Sequence, residues 1–247
     1  QLKINGNYNK KFGFDFKKIT LLSKSNSLIV GNLIIDKDNK LAKVDKIDLD
    51  YFDNENMKNK FALSRIKNNN YELKGSLLNA DTIITNLLES KNDQQLDIFK
   101  EDINIKLNLS NVYLDNDNSV KNLNGRIQII DNKVDYTNIS AQFTNDENLK
   151  FTINTKEGEK ITTLSSSRAK PLVKRYKFIK GFEDNNEGYL DFYSSKKDGI
   201  SNSKLKIDNF KVKEIPVLAK LLALASLQGI ADLLTGEGIR FTDFEMN

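Results

Sequence analysis

The chain has no cysteine and no histidine in its 247 residues. Those two absences remove thiolate nucleophiles, Ser-His-Asp triads and His- or Cys-bound zinc from this stretch of polypeptide. A lack of cysteine is compatible with any redox compartment. No basic-then-apolar leader and no uninterrupted apolar run of about eighteen residues occurs, so neither a signal peptide nor a spanning helix is written in these residues. The patterns GxGxxG, GxxxxGKS/T and GxSxG are absent as well. Gly236-Glu237-Gly238 resembles a phosphate loop only superficially: it follows an apolar stretch instead of preceding a helix, so it reads as a C-cap. A field of one sign is also missing. Lys and Arg number 38 against 34 Asp and Glu, interspersed along the chain, which gives no basis for nucleic-acid binding.

What is present is alternation. Phe12, Phe14 and Phe16 share one parity, as do Leu33 and Ile35, then Ile47, Leu49 and Tyr51, then Phe61 and Leu63, then Tyr71 and Leu73. Runs of period two broken by Asp-Lys-Asp-Asn and Asn-Asn-Asn clusters predict strands with one dry and one wet face, joined as a meander. After residue 100 longer strands resume, with Ile103, Ile105, Leu107 and Leu109 on one face, followed by Ile127 and Ile129, Val134 and Tyr136, Ile139, Ala141 and Phe143, then Phe151 and Ile153. Asp131-Asn132 and Asp198-Gly199 are tight hairpin signals. Tyr189, Leu190, Phe192 and Tyr193 form a strand with aromatics on both faces. Leu205 and Ile207 share one parity while Phe210 and Val212 share the other, which predicts a bulge near Asp208-Asn209.

Helical spacing occurs at three places. Residues 79–90 carry Ile83, Ile84, Leu87 and Leu88 behind Asn79 or Asp81 as N-cap. Residues 166–179 place Leu172, Val173, Tyr176 and Ile179 inward after a cap at Ser166 or Ser167, with Pro171 in the first turn. Lys170, Lys174, Arg175, Lys177 and Lys180 make the other side of that helix basic, either as a solvated face or as a contact for anionic headgroups. The third and longest helix is expected at 216–235. It opens at Pro216, closes at Gly236 and Gly238, and leaves only a narrow polar stripe of Lys220, Gln228, Asp232 and Thr235. Its apolar residues Leu218, Leu221, Leu222, Leu224, Ile230 and Leu233 are candidates for a plug or a membrane contact.

The expected fold is therefore mainly β with a few helices, a long curved antiparallel β-sheet shaped as a groove, with two short helices and one long hydrophobic helix. The organisation is a β-sheet segment over 1–78 and a β-groove segment over 79–247. The strand-like start at Gln1 to Ile4 and the strand begun after Gly238 suggest cuts through a longer polypeptide. Asp45, Asp48 and Asp50 sit in an alternating strand, and Asp115 with Asp117 lacks the Gly and distal Glu of an EF-hand loop, so these read as wet-face and turn residues, with no metal and no cofactor implied. Nothing nominates an acid and base pair, and no enzymatic activity is expected. An apolar sheet face larger than its helices can cover marks a site for an apolar partner. Leu107, Leu109, Ile127, Ile129, Tyr136, Phe143 and Phe192 are the candidate lining, and phospholipid acyl chains the candidate ligand.

The run KVKEIPVLAKLLALASLQGIADLLTGEGIRFTDFE, preceded by SSSRAKPLVKRYKFIKGFEDNNEGYLDFYS and, more loosely, by GSLLNADTIITNLLES and the strands from Leu107 to Phe143, is similar to the C-terminal region of AsmA-like proteins of Gram-negative envelopes, in their large YhdP-type branch. The resemblance implies a periplasmic β-groove, anchored in the inner membrane by a helix outside these residues, that moves phospholipid toward the outer membrane. It carries no catalytic residue. The alternative from the residues themselves is a scaffold or assembly factor that guides outer-membrane proteins by strand pairing.

Overall fold

A computed structural model describes residues 1–84, 98–143, 147–176, 182–212 and 239–247. It forms two compact units, 1–141 and 142–247. The first contains β1 (Leu2–Asn9), β2 (Gly13–Leu22), β3 (Ser27–Ile35), β4 (Leu41–Phe52), β5 (Lys58–Lys67), β6 (Asn70–Asn79), β7 (Ile103–Tyr113), β8 (Ser119–Ile130) and β9 (Lys133–Gln142). The second contains β10 (Asn148–Lys156), β11 (Glu159–Ser166), a helix α1 (Lys170–Tyr176), β12 (Phe182–Lys197), β13 (Ile200–Val212) and β14 (Ile239–Met246). Within each unit the strands lie side by side in chain order. The molecule is mainly β, as the alternation predicts.

The turns follow from local chemistry. Asp131 and Asn132 both take positive φ, 49° and 59°, and Asp198-Gly199 takes 51° and 79°, the two-residue hairpin geometry whose twist matches that of its strands. A second device occurs twice. Asp36 accepts the N–H groups of Asp38 and Lys40, and Asp53 those of Glu55 and Met57, in each case with an Asn at φ 61° three residues on. The carboxylate satisfies turn amides that have no strand partner.

One pairing corrects the all-antiparallel expectation. β6 and β7 are parallel, Tyr71 facing Ile105 and Leu73 facing Leu107. Parallel neighbours need a crossover of a dozen or more residues, and the connection from 80 to 102 supplies it. Its described beginning is helical at 81–84, with Asn79 Oδ1 accepting the Asp81 N–H at 3.1 Å. Its described end forms a bridge to β4: Leu41 donates to the Ile98 carbonyl at 2.7 Å, and the Leu41 carbonyl accepts from Lys100 at 3.1 Å.

A second correction concerns Asp208-Asn209. The change of parity is present, since Leu205 and Ile207 share a buried cluster with Phe210 and Val212. Yet Asp208 faces Asp243 and Phe210 faces Phe241, so no residue is inserted against β14. The inversion comes from Asn209 itself at φ 53°. Asn32, at φ 49°, does the same in β3, where Val30 and Leu33 serve one cluster. Asparagine tolerates this left-handed region better than most side chains.

The helix expected at 216–235, with Leu218, Leu221, Leu222, Leu224, Ile230 and Leu233, lies outside the described residues, as do 85–90 of the first expected helix. The second expected helix is observed only over Lys170–Tyr176, with Pro171 in its first turn; Ser166 ends β11 and the first turn closes on the Ala169 carbonyl, so the expected cap at Ser166 or Ser167 is corrected, and residues 177–179 lie outside the described ones.

Candidate functional site

Successive strands of the first unit pair so that their apolar residues fall into rows across the sheet. One row leads from Leu2 through Leu21, Leu28 and Leu49 to Phe61 and Gly75, and on to Leu109 and Leu123. The adjoining row runs from Ile4 through Ile19, Val30 and Ile47 to Leu63, Leu73 and Leu107, ending at Gly125. Each crosses eight strands; at about 4.8 Å per strand that is roughly 34 Å of apolar surface measured along the hydrogen-bond direction. Val30, Leu107 and Leu109 are buried, and most of the rest are half-buried. Exposure rises toward β1, where Leu2 is 59% and Ile4 58% exposed.

The alternate residues point the other way and carry charge. Asp48 pairs with Lys46 at 2.9 Å, Asp50 with Lys58 and Lys60, and Glu72 with Lys106. The Lys58 ammonium, hydrogen-bonded to Asp50, holds that carboxyl below the usual carboxylate range. Asp48 and Asp50 thus serve as ion-pair partners on the wet face; Asp45, two residues from Ile47, pairs with Lys43 and Arg65 where the β4–β5 ladder ends; and Asp115 accepts the N–H groups of Asp117 and Asn118 in a turn. The strand period of two separates these charges from the apolar rows by a single residue.

Where β4 departs from β5, the crossover returns. Phe99 packs beside Leu41, Leu63 and Val44, and a cavity of about 80 Å³ remains among them, Tyr71, Ile103 and Ile105. Asn132, in the β8–β9 turn, fixes Phe99 by both backbone groups: its Oδ1 accepts the Phe99 N–H at 2.9 Å, and its Nδ2 donates to the Phe99 carbonyl at 3.0 Å. The strap therefore ties β4 to the β8–β9 turn across the ends of the strands between them.

In the second unit the apolar face is covered in part. Ala169 and Val173 of the α1 region are fully buried against Leu190 and Ile207. Phe210 stacks between Phe182 and Phe241, with ring centroids 5.3 Å apart on either side. Beyond α1 a row of Phe151, Leu164, Phe192 and Leu205 crosses four strands in register.

Of the candidate lining residues, Leu107 and Leu109 belong to the two long rows, and Ile127 faces Ile105 beside them while Ile129 faces Ile103. Tyr136 is half-buried on β9. Phe192 joins the row of the second unit, and Phe143 is buried beneath the Arg168 guanidinium, 5.6 Å from its ring centre. The contributions of β2 to β5 and the Phe99 strap were not singled out from the sequence. Alternation at Ile47 and Leu63 was visible, but nothing local signals that such residues meet across strands.

Among the described residues no helix is long and apolar enough to cross a membrane. No protein-family model, no curated protein and no solved structure matches the chain.

Proposed function

We propose that the chain binds phospholipid acyl chains along its apolar sheet faces and conducts them, as part of a periplasmic protein of the AsmA-like, YhdP-type kind held to the inner membrane by a segment outside these residues. The observation that carries the reading is the pair of adjoining apolar rows in register over eight strands. A fold that needed only a core would bury such rows; here most of the side chains stay half-exposed. Rows directed across the strands offer a continuous apolar path, and a chain sliding along it exchanges like contacts for like, without the deep energy well of a closed pocket. Headgroups would remain at the rim, in water. The sequence resemblance supports the same reading independently of the register.

The direct test is lipid mass spectrometry on the purified protein, with a photoreactive residue placed in turn at Leu107, Ile129 and Phe143. Recovered phospholipid and lipid crosslinks are expected. A preparation that carries no phospholipid and crosslinks to none removes the proposal.

A second reading, scaffolding by strand pairing, draws on β1, all of whose eight residues are exposed and which pairs on one side only, with β2. Under that reading a proline at Asn5 abolishes function and charge in the apolar rows does not; the lipid reading expects the reverse.

A further inference from the structure

We propose that the tip of the β1–β2 hairpin docks on an anionic bilayer surface, with Tyr8 and Phe12 entering the headgroup layer and Lys10 and Lys11 meeting its phosphates. The proposal goes beyond the lipid-binding reading. That reading concerns single acyl chains on the apolar rows, and this one concerns how the molecule sits on an intact membrane.

The tip is built to present side chains outward. Asn9 faces Gly13, which leaves Lys10, Lys11 and Phe12 as a three-residue loop. Asn9 accepts the Lys11 N–H on Oδ1 at 2.8 Å and the Phe12 N–H on its carbonyl at 3.0 Å, and Gly13 closes the loop at φ 95°. A Cβ on Gly13 would lie 2.2 Å from the Ile35 carbonyl oxygen, so the base of the loop is seated against the end of β3. Phe12 is left 67% exposed and Tyr8 64%. Tyr8 lies 4.8 Å from Phe14, and Phe14 stacks on Phe16 at 5.6 Å, so the rings form one apolar ridge. Tyr8, Gly6 and Ile4 alternate along β1, which puts the ridge on the face that carries the apolar rows.

Charge is the second observation. The balance over the whole chain conceals a local excess, because residues 1–35 hold six lysines against a single carboxylate, Asp15. Asp15 is taken by Lys17 at 3.1 Å, whereas Lys10 and Lys11 form no ion pair among the described residues; the Lys11 ammonium lies over the Phe12 ring, 5.4 Å from its centre. The neighbouring β3–β4 turn brings as many lysines as carboxylates: Asp36 is buried and paired with Lys100, and Asp38 is exposed with Lys37 and Lys40 in the same turn. Glu101, further along this end of the sheet, is engaged by Asn69 at 2.6 Å. Exposed rings edged by lysines match the headgroup region, where aromatic side chains settle and ammonium groups reach lipid phosphates. A single nucleic-acid strand fits less well, because Tyr8, Phe14 and Phe16 already turn their rings to one another instead of offering them to bases. A second copy is opposed by its own like charge.

The test sediments the intact chain, at physiological ionic strength, with vesicles of phosphatidylcholine alone and with vesicles in which about a third of the lipid is phosphatidylglycerol. The anionic vesicles are expected to bind the chain at least tenfold more tightly. Each lysine at the surface contributes about fivefold, so Lys10→Gln/Lys11→Gln weakens binding by roughly thirtyfold. Lys3→Gln/Lys24→Gln removes the same charge from the far end of the same strands, beyond the screening distance, and weakens it by less than about fivefold. Tyr8→Ser/Phe12→Ser keeps the charge and weakens binding by at least tenfold; circular dichroism checks that each variant folds. Equal binding to the two kinds of vesicle overturns the proposal, as does equal loss in the two lysine variants or native binding by the serine variant. An oligothymidylate that binds more tightly than the anionic vesicles, through the same residues, also overturns it. Titration with hexadecanoate keeps the two readings apart: a chain that takes up hexadecanoate and ignores vesicles overturns the docking alone, and one that sediments with anionic vesicles but takes up no hexadecanoate supports the docking and overturns the acyl-chain reading.

Discussion

A carboxylate placed in the middle of the longer apolar path separates a lipid track from a packing surface. Leu63 faces Ile47 on one side and Leu73 on the other, and it is half-buried. Its neighbour Ala62 faces Asp48 and Lys74, on the charged side of the same strand. Leu63→Glu forfeits about half of the roughly 2 kcal/mol that full burial of a leucine contributes, and desolvating the carboxylate beside Phe99 adds about 1–3 kcal/mol, so the fold loses about 2–4 kcal/mol, a loss that thermal melts measure. For an acyl chain lying on the rows, half-burial contributes about 0.4 kcal/mol per methylene, half the value for complete burial. The new carboxylate denies contact to roughly four methylenes, about 1.6 kcal/mol, which weakens binding by at least tenfold. Ala62→Glu adds the same charge one residue along and leaves binding unchanged, because alternation turns it to the wet face. Titration calorimetry with hexadecanoate, alongside thermal melts of both variants, provides the measurement. A folded Leu63→Glu protein that binds within threefold of the native chain, or an Ala62→Glu protein weakened equally, refutes the reasoning.

Three further expectations concern the fold. A Cβ on Gly75 would lie 2.5 Å from Phe61 Cβ and 2.6 Å from the Lys60 carbonyl oxygen, whereas one on Gly31 meets only Lys46 Cβ at 4.0 Å. Gly75→Ala therefore destabilises by about 1–3 kcal/mol while Gly31→Ala is neutral or slightly stabilising in denaturant melts. Asn132→Gly keeps the positive φ of the turn but removes both hydrogen bonds to Phe99, costing about 1–3 kcal/mol and speeding amide exchange at Phe99 and Leu41; unchanged exchange would show that the strap is held by other contacts. The carboxyls of Asp36 and Asp53 are held below their ordinary value: at Asp36 chiefly by the Lys40 N–H, and at Asp53, where burial is the largest single influence and pushes the value up, by the combined hydrogen bonds of the Asn79 amide, the Met57 N–H, the Asn59 amide and the Glu55 N–H. Lowered folded-state values mean stability that is complete above about pH 5 and lost as the pH falls through them, so the melting temperature drops in acid, and Asp53→Asn shows a smaller drop.

The amino-acid sequence determined the strands and most of their turns, because alternation and turn chemistry are local. Phe14 and Phe16, Leu107 and Leu109, and the Asp131-Asn132 and Asp198-Gly199 turns need no distant partner to be legible. The parity change after Ile207 was legible too, although a left-handed Asn209 and an inserted residue leave the same trace in one strand. Only the tertiary structure decided which residues line up. That Leu2 and Leu123 stand at opposite ends of one row depends on seven successive registers, each a choice among partners from 7 to 34 residues apart. The parallel β6–β7 pair and the return of Phe99 to Leu41 are likewise settled by closure of a long crossover. Lys160 and Lys196, more than thirty residues apart in the chain, become neighbours only because β11 and β12 pair as they do. Period two tells each residue which face it occupies; hydrogen bonding between strands decides what stands beside it there.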